Sequence, residues 1–218
     1  MKSFVTSWSG GKDSCFAYMA AIKAGMKPKV LMNMMNENGL VSRSHAIPES
    51  VLLQQAKELG LPIVTVPSTW KTYEENFIEN LTSLTNQYSL EVGVFGDIDI
   101  ESNRKWEEKV CAASGLYPFL PLWKQDRKGL VLKMINSGIE CIIISCNPLL
   151  GEGFLGRTLN YQMITELEDI GIDVCGENGE FHTLVLNCPV FQNPINVGLL
   201  EKKVFKDYCF QEVILKTN

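Results

Sequence analysis

The sequence predicts an α/β fold: a doubly wound parallel sheet followed by a smaller α+β unit. Three observations carry that expectation. Short β-rich runs alternate with helical periodicity through the first half of the chain, the pattern of βαβ units and hence of a parallel, right-handed sheet. The rhythm changes after Pro121-Leu122-Trp123. The 218 residues, 45% of them hydrophobic and 21% charged, are enough to bury a core without help from disulfides or metal.

The elements follow in order. Residues 4–8 form a β-rich run that meets Ser9-Gly10-Gly11-Lys12-Asp13-Ser14, and a helical pattern over 15–24 ends at Gly25. Residues 28–35 read as a buried strand. Pro48-Glu49 opens a second helix, with Val51, Leu52, Ala56 and Leu59 at helical spacing and Gly60 beyond its end. A third strand spans 61–66, and Pro67-Ser68 turns the chain out of it. Tyr73, Phe77, Leu81 and Leu84 mark one face of a third helix. Residues 92–95 give a fourth strand and 103–113 a fourth helix, closed by Gly115. In the second unit Asp126 caps a helix to Ser137, 140–145 is a strand, and Thr158 caps a helix running to Ile170. Two β-rich runs, 183–186 and 204–215, finish the chain. The expected division is residues 1–123 and 124–218.

Charge and cysteine usage exclude several classes. With 20 Lys+Arg against 25 Asp+Glu the chain is mildly acidic, whereas direct nucleic-acid binders usually carry a basic stripe. Seven acids and no Lys or Arg lie between Thr72 and Asn103, and six acids with no basic residue between Thr158 and Leu200. No apolar run approaches the ~20 residues of a membrane span, and the N-terminus turns polar at Ser7 and Ser9, too soon for an export signal. Seven cysteines without a C-x-x-C pair read as reduced thiols in a cytoplasmic protein.

Ser9 to Ser14 sits between strand and helix, where a helix start offers unpaired N–H groups and partial positive charge, and adjacent glycines let the backbone wrap an oxyanion. Lys12 adds a full charge; Ser9 and Ser14 add hydroxyls. The Walker A spacing is not met, and the dinucleotide fingerprint G-x-G-x-x-G is absent. The six residues resemble the PP-loop of ATP pyrophosphatases; the plainer alternative is a turn of small residues. A second motif, Cys175-Gly176-Glu177-Asn178-Gly179-Glu180-Phe181-His182-Thr183, sets two carboxylates, an imidazole and a hydroxyl on a turn leading into a strand. It can hold Mg²⁺, orient an amine or contact a substrate, and taken alone it reads equally as a polar hairpin turn.

Together the two ends resemble the diphthine–ammonia ligase family of N-type PP-loop ATP pyrophosphatases. The likeness extends through His45, the helix Glu49-…-Gln55-Ala56-…-Leu59-Gly60-Leu61-Pro62, Gly96-Asp97-Ile98 with Arg104, Glu107 and Cys111, and Pro121-Leu122-Trp123. The family's E-G-G-E turn appears as Glu177-Asn178-Gly179-Glu180. The resemblance implies a sheet of the PP-loop/adenine nucleotide alpha hydrolase type and a family-specific acceptor-binding unit. It implies that a substrate carboxylate attacks the α-phosphate of ATP, pyrophosphate leaves, and ammonia displaces AMP to give an amide, the acceptor being diphthine on elongation factor 2.

The roles that follow are these. Ser9, Gly10, Gly11, Lys12 and Ser14 bind the phosphates, and Asp13 orders the loop or approaches Mg²⁺. Adenine lies near Met32 to Met34, with Asn33, and Gly96 and Asp97 also contact the nucleotide. Asp97 and Asp99 are the candidate Mg²⁺ ligands, with a solvated acidic loop as their alternative. Glu177, Glu180 and His182 face the acyl-adenylate. His182 and His45 are read either as functional or as packed side chains. ATP, ammonia and the carboxylate acceptor are the expected partners, with a homodimer among the possible states and no membrane contact. A tRNA thiolase is disfavoured by the missing C-x-x-C and the acidity. The rival readings are the same chemistry on a small carboxylate, such as a cobalamin precursor, and a non-catalytic ATP/AMP sensor.

Overall fold

A computed structural model describes residues 1–216; residues 217 and 218 of the expected second unit lie outside it. Five strands, β1 (Ser3–Ser7), β2 (Lys27–Met35), β3 (Ile63–Pro67), β4 (Val92–Val94) and β5 (Tyr117–Phe119), form a parallel sheet in the order β3-β2-β1-β4-β5. The last six residues of β2 are all buried, as a central strand covered on both faces requires. The connecting helices are α1 (Lys12–Lys23), α2 (Glu49–Leu59), α3 (Tyr73–Tyr88) and α4 (Glu101–Ala113). Gly60 ends α2 in the left-handed region at φ 66°, where a side chain would be strained.

Strand order reverses beside β1, so β1 and β4 frame the crevice at which open α/β sheets bind ligands. Phe77, Leu81 and Leu84 of α3 pack with Val5, Met32 and Phe95 on one face. On the other, α1 is covered by a second sheet of antiparallel strands, order β7-β6-β9-β8. These are β6 (Glu140–Cys146), β7 (Phe181–Asn187), β8 (Val197–Val204) and β9 (Cys209–Leu215), accompanied by α5 (Arg127–Asn136) and α6 (Tyr161–Asp169). Phe4, Trp8, Ala17 and Tyr18 therefore share one continuous core with Val131, Ile143, Leu184 and Val185. The second unit is fused to the first through its interior.

The doubly wound sheet and the smaller α+β unit agree with the sequence; several local expectations do not. Strand β5 was not foreseen, because three residues containing Pro118 between Gly115 and Pro121 carry no usable period. The run 204–215 is not one strand: it holds the end of β8, a turn and β9, which pair Val204 with Cys209. Asn160, not Thr158, caps α6, its Oδ1 accepting from Met163 N at 2.9 Å, while Thr158 is drawn into a bridge with Ile142. Asp126 caps α5 as expected, accepting from Gly129 N at 2.7 Å. All seven cysteines are free and buried. No helix among the described residues is long and apolar enough to cross a membrane.

One buried side chain joins the layers. Gln55, fully buried on α2, accepts from Trp8 Nε1 at 2.8 Å and donates to the carbonyls of Gly10 at 3.0 Å and Val185 at 2.8 Å. Gln55→Met keeps the volume but leaves a buried indole N–H without its acceptor, so we expect a loss of about 2–4 kcal/mol. Urea unfolding reads this as a lower midpoint at unchanged slope; an unchanged midpoint contradicts the expectation.

Candidate functional site

A cavity of about 590 Å³ opens at the carboxyl ends of β1 and β4, and the segment 176–183 with Tyr208 closes it from the second unit. Its floor is the Ser9–Ser14 loop, which the fold packs tightly. Gly10 has φ 84°, and a Cβ there would lie 2.9 Å from both Gln55 Oε1 and Ile47 Cδ1. A Cβ on Gly96 would lie 2.7 Å from the Asp13 carbonyl carbon and 2.8 Å from Ser14 N, so only glycine lets the β4 loop abut the start of α1. Ser9 Oγ accepts from Gly11 N at 3.2 Å and pairs with Ser14 Oγ at 3.0 Å, while Lys12 N donates to Thr183 Oγ1 at 3.0 Å. The cap residue Gly11 offers no side chain, so apart from the bond to Thr183 the start of α1 remains available to an oxyanion.

Lys12 is the only Lys or Arg lining this cavity among the described residues. Its Nζ donates to Asp13 Oδ2 at 2.9 Å and to the Cys175 carbonyl at 2.6 Å, and lies 5.5 Å from the Phe181 ring centroid. Burial opposes its charge, but the negative potential of Asp13 prevails and holds the ammonium protonated.

Acids dominate the rest. Asp97 accepts from Asn103 Nδ2 at 2.7 Å. Glu107 on α4 is 2% exposed, and burial, followed by its hydrogen bond and repulsion with Asp97, pushes its pKa up to about 11. Glu177 accepts from Ile98 N at 3.3 Å; burial and then Asp13 push it up to about 7. His45 and His182 stack with ring centroids 4.4 Å apart. Burial, followed by the charge on Lys12, lowers His182 to about 4, and burial with His182 and Lys12 takes His45 well below its ordinary value. Both rings are neutral at pH 7, so His182 is a weak base and serves the cavity as a polar wall.

The cavity gathers most of the residues singled out in the sequence: Ser9, Lys12, Asp13, Ser14, Gly96, Asp97, Glu177 and His182 all line it. Gly10 and Gly11 form the loop behind its wall. Three others lie elsewhere. Asn33 faces an adjoining cleft of about 60 Å³ between Met32, Met34 and Arg43, its Nδ2 donating to the Trp8 carbonyl at 2.6 Å. Asp99 is held by Arg127, which donates to Oδ1 at 2.6 Å and Oδ2 at 2.8 Å, and does not line the cavity. Glu180 turns back to Asn178, accepting from its N and Nδ2 at 3.0 Å each, and so shapes the turn rather than lining the cavity. Tyr73, Trp106 and Glu107 line the cavity without having been assigned a role. Asn103, Trp106 and Glu107, three and four residues apart on a helix following Gly96-Asp97, are the signal that marks this face.

A parallel sheet with a glycine-rich loop at its switch point and a closing antiparallel unit defines an α/β protein whose cavity is built over a strand-to-helix loop. Sequence models of the diphthamide synthase N-terminal domain and C-terminal domain match residues 1–118 and 126–217, and the chain belongs to the diphthamide synthase family. Proteins named diphthine–ammonia ligase are similar to it. The one from Danio rerio is 28% identical over 94% of this chain and 90% of its own length. The human one is 27% identical over 94% and 86%. The one from Schizosaccharomyces pombe is 28% identical, but this chain spans only 38% of its length. A solved structure described as a predicted subunit of tRNA methyltransferase from Methanocaldococcus jannaschii overlaps at TM-score 0.45 and 16% identity, too weak to bear on function.

The raised pKa of Glu177 gives a prediction with a definite sign. Folding lifts it from the ordinary 4.5 to about 7, so the native state binds more protons between those values and stability falls as pH rises through them. His182 has the opposite slope below its ordinary 6.5, and that slope is common to parent and variant. Glu177→Gln keeps an acceptor for Ile98 N and should raise the urea midpoint more at pH 8 than at pH 5. An equal shift at both values counts against a strained carboxylate.

Proposed function

We propose that the protein is an ATP-dependent amide-forming ligase that converts diphthine on elongation factor 2 to diphthamide. The observation that carries this reading is the position of Lys12, the one cation lining the cavity, at the open start of α1 between two glycines and Thr183. The Ser9–Ser14 loop and Lys12 bind the β- and γ-phosphates, for which the Nζ leaves Asp13 and the Cys175 carbonyl. The acceptor carboxylate oxygen bonds to the α-phosphorus as the bond to the bridging oxygen of pyrophosphate breaks. The helix start and Lys12 take the charge that develops on the leaving group. Ammonia then bonds to the acyl carbon, AMP departs, and one proton is released.

We assign adenine to the end of β2, where Asn33 Oδ1 is buried without a hydrogen-bond partner and suits an exocyclic amine. No group of three or more metal-ligating side chains occurs among the described residues, so Mg²⁺ would rely mainly on ATP oxygens, with Asp13, whose Oδ1 is buried without a hydrogen-bond partner, as the protein carboxylate within the loop. When bound it supplies charge neutralisation at the phosphates. Residues 124–218 supply the acceptor side of the site, with Glu177 held over the cavity.

Lys12→Ala should lower AMP and pyrophosphate formation by about 10²–10³-fold, the scale of removing one charge-stabilising donor, with an unchanged far-ultraviolet circular dichroism spectrum. Turnover of ATP at the parent rate by the folded variant would remove the loop from the mechanism.

A further inference from the structure

One wall of the cavity combines aromatic faces with negative charge that no cation among the described residues pairs with. Tyr73, the first residue of α3, and Trp106 on α4 line the cavity with ring centroids 5.7 Å apart, and Phe77 holds Trp106 edge-on at 4.8 Å. Trp70 beside them is engaged, since Arg43 lies 4.9 Å from its centroid; among the described residues no cation lies over Tyr73 or Trp106. Next to these rings Glu107 is 2% exposed and its Oε2 has no hydrogen-bond partner. Burial and the acids around it keep Glu107 protonated at pH 7, so it meets Asp97 as an uncharged hydrogen-bond partner, and the charge of the wall lies on Asp97, which also accepts from the neutral amide of Asn103. Anionic phosphates are repelled from such a wall. Inorganic divalent ions fit poorly, since the described residues hold no group of three or more metal-ligating side chains. A cation that is bulky, apolar at its surface and without N–H donors meets both features, through ring faces for its methyls and the Asp97 carboxylate for its charge.

We infer that the wall formed by Tyr73, Trp106, Asp97 and Glu107 binds a quaternary ammonium group on the acceptor substrate. This rests on the ligase reading, in which the acceptor, diphthine, carries a trimethylammonium group, and it assigns the recognition of that group to α3 and α4 rather than to the 177–180 turn.

The test separates charge from shape. Glycine betaine and its neutral carbon isostere, 3,3-dimethylbutanoate, are titrated into the full chain at constant ionic strength, with tryptophan fluorescence as the readout. Ammonium chloride and magnesium chloride are controls. Betaine should bind about tenfold more tightly than the isostere. Asp97→Asn and Trp106→Leu should each abolish that preference. Equal binding of the two compounds, a preference that both wall variants retain, or an Asp97-dependent response to ammonium or Mg²⁺ with none to betaine overturns the inference. Failure of the ligase reading looks different: the betaine preference persists while no acceptor supports AMP formation.

Discussion

The rest of the site depends on how the backbone of the Ser9–Ser14 loop is hydrogen-bonded. The Gly10 carbonyl accepts from Val185 N at 2.9 Å and from Gln55 Nε2 at 3.0 Å, and Lys12 N donates to Thr183 Oγ1. A loop near the N-terminus is thus tied by β7, more than 170 residues later, and by α2. Because Gly10 occupies the left-handed region with almost no room for a Cβ, the loop has little freedom to relax away from these partners. The same ties explain why the two units share one core: β7 cannot lie on the loop unless its inner face packs on α1.

Electrostatics follow from that closure. Folding the second unit over the loop buries Lys12 with Asp13 and brings Glu177 to Asp97 and Glu107, so Glu107 and Glu177 are raised while two histidines are kept neutral. A single lysine at the helix start therefore faces a surplus of acid. Arg127 stabilises the arrangement from behind by bridging Asp99 after β4 to Asp173 at 2.5 Å and to Asn178 at 3.1 Å, which fixes the turn carrying Glu177.

Much of this was legible in one dimension. The PP-loop stood out because its residues sit at a strand-to-helix junction, and Gly96-Asp97 because it ends a strand on the same sheet edge. Asp99 and Glu180 show the limit. Both are acids inside a motif, yet Arg127 takes one and Asn178 the other, and those partners are set by side-chain direction, which spacing does not encode. Glu107 and Trp106 were missed as site residues for the reverse reason: an acid and an aromatic on a helix face look like solvated surface and core until β4 and α3 bring Asp97 and Tyr73 against them.

The sequence by itself determined the strand–helix alternation, the doubly wound class, the glycine-rich strand-to-helix loop and the family, because each depends on local periodicity or on contiguous residues with a fixed backbone need. Tertiary structure alone decided which acids open into the cavity, which histidines lose their charge, and that the two units close around one core. These depend on desolvation and on hydrogen bonds between residues tens to more than a hundred positions apart, such as Lys12 with Cys175 and Gln55 with Val185.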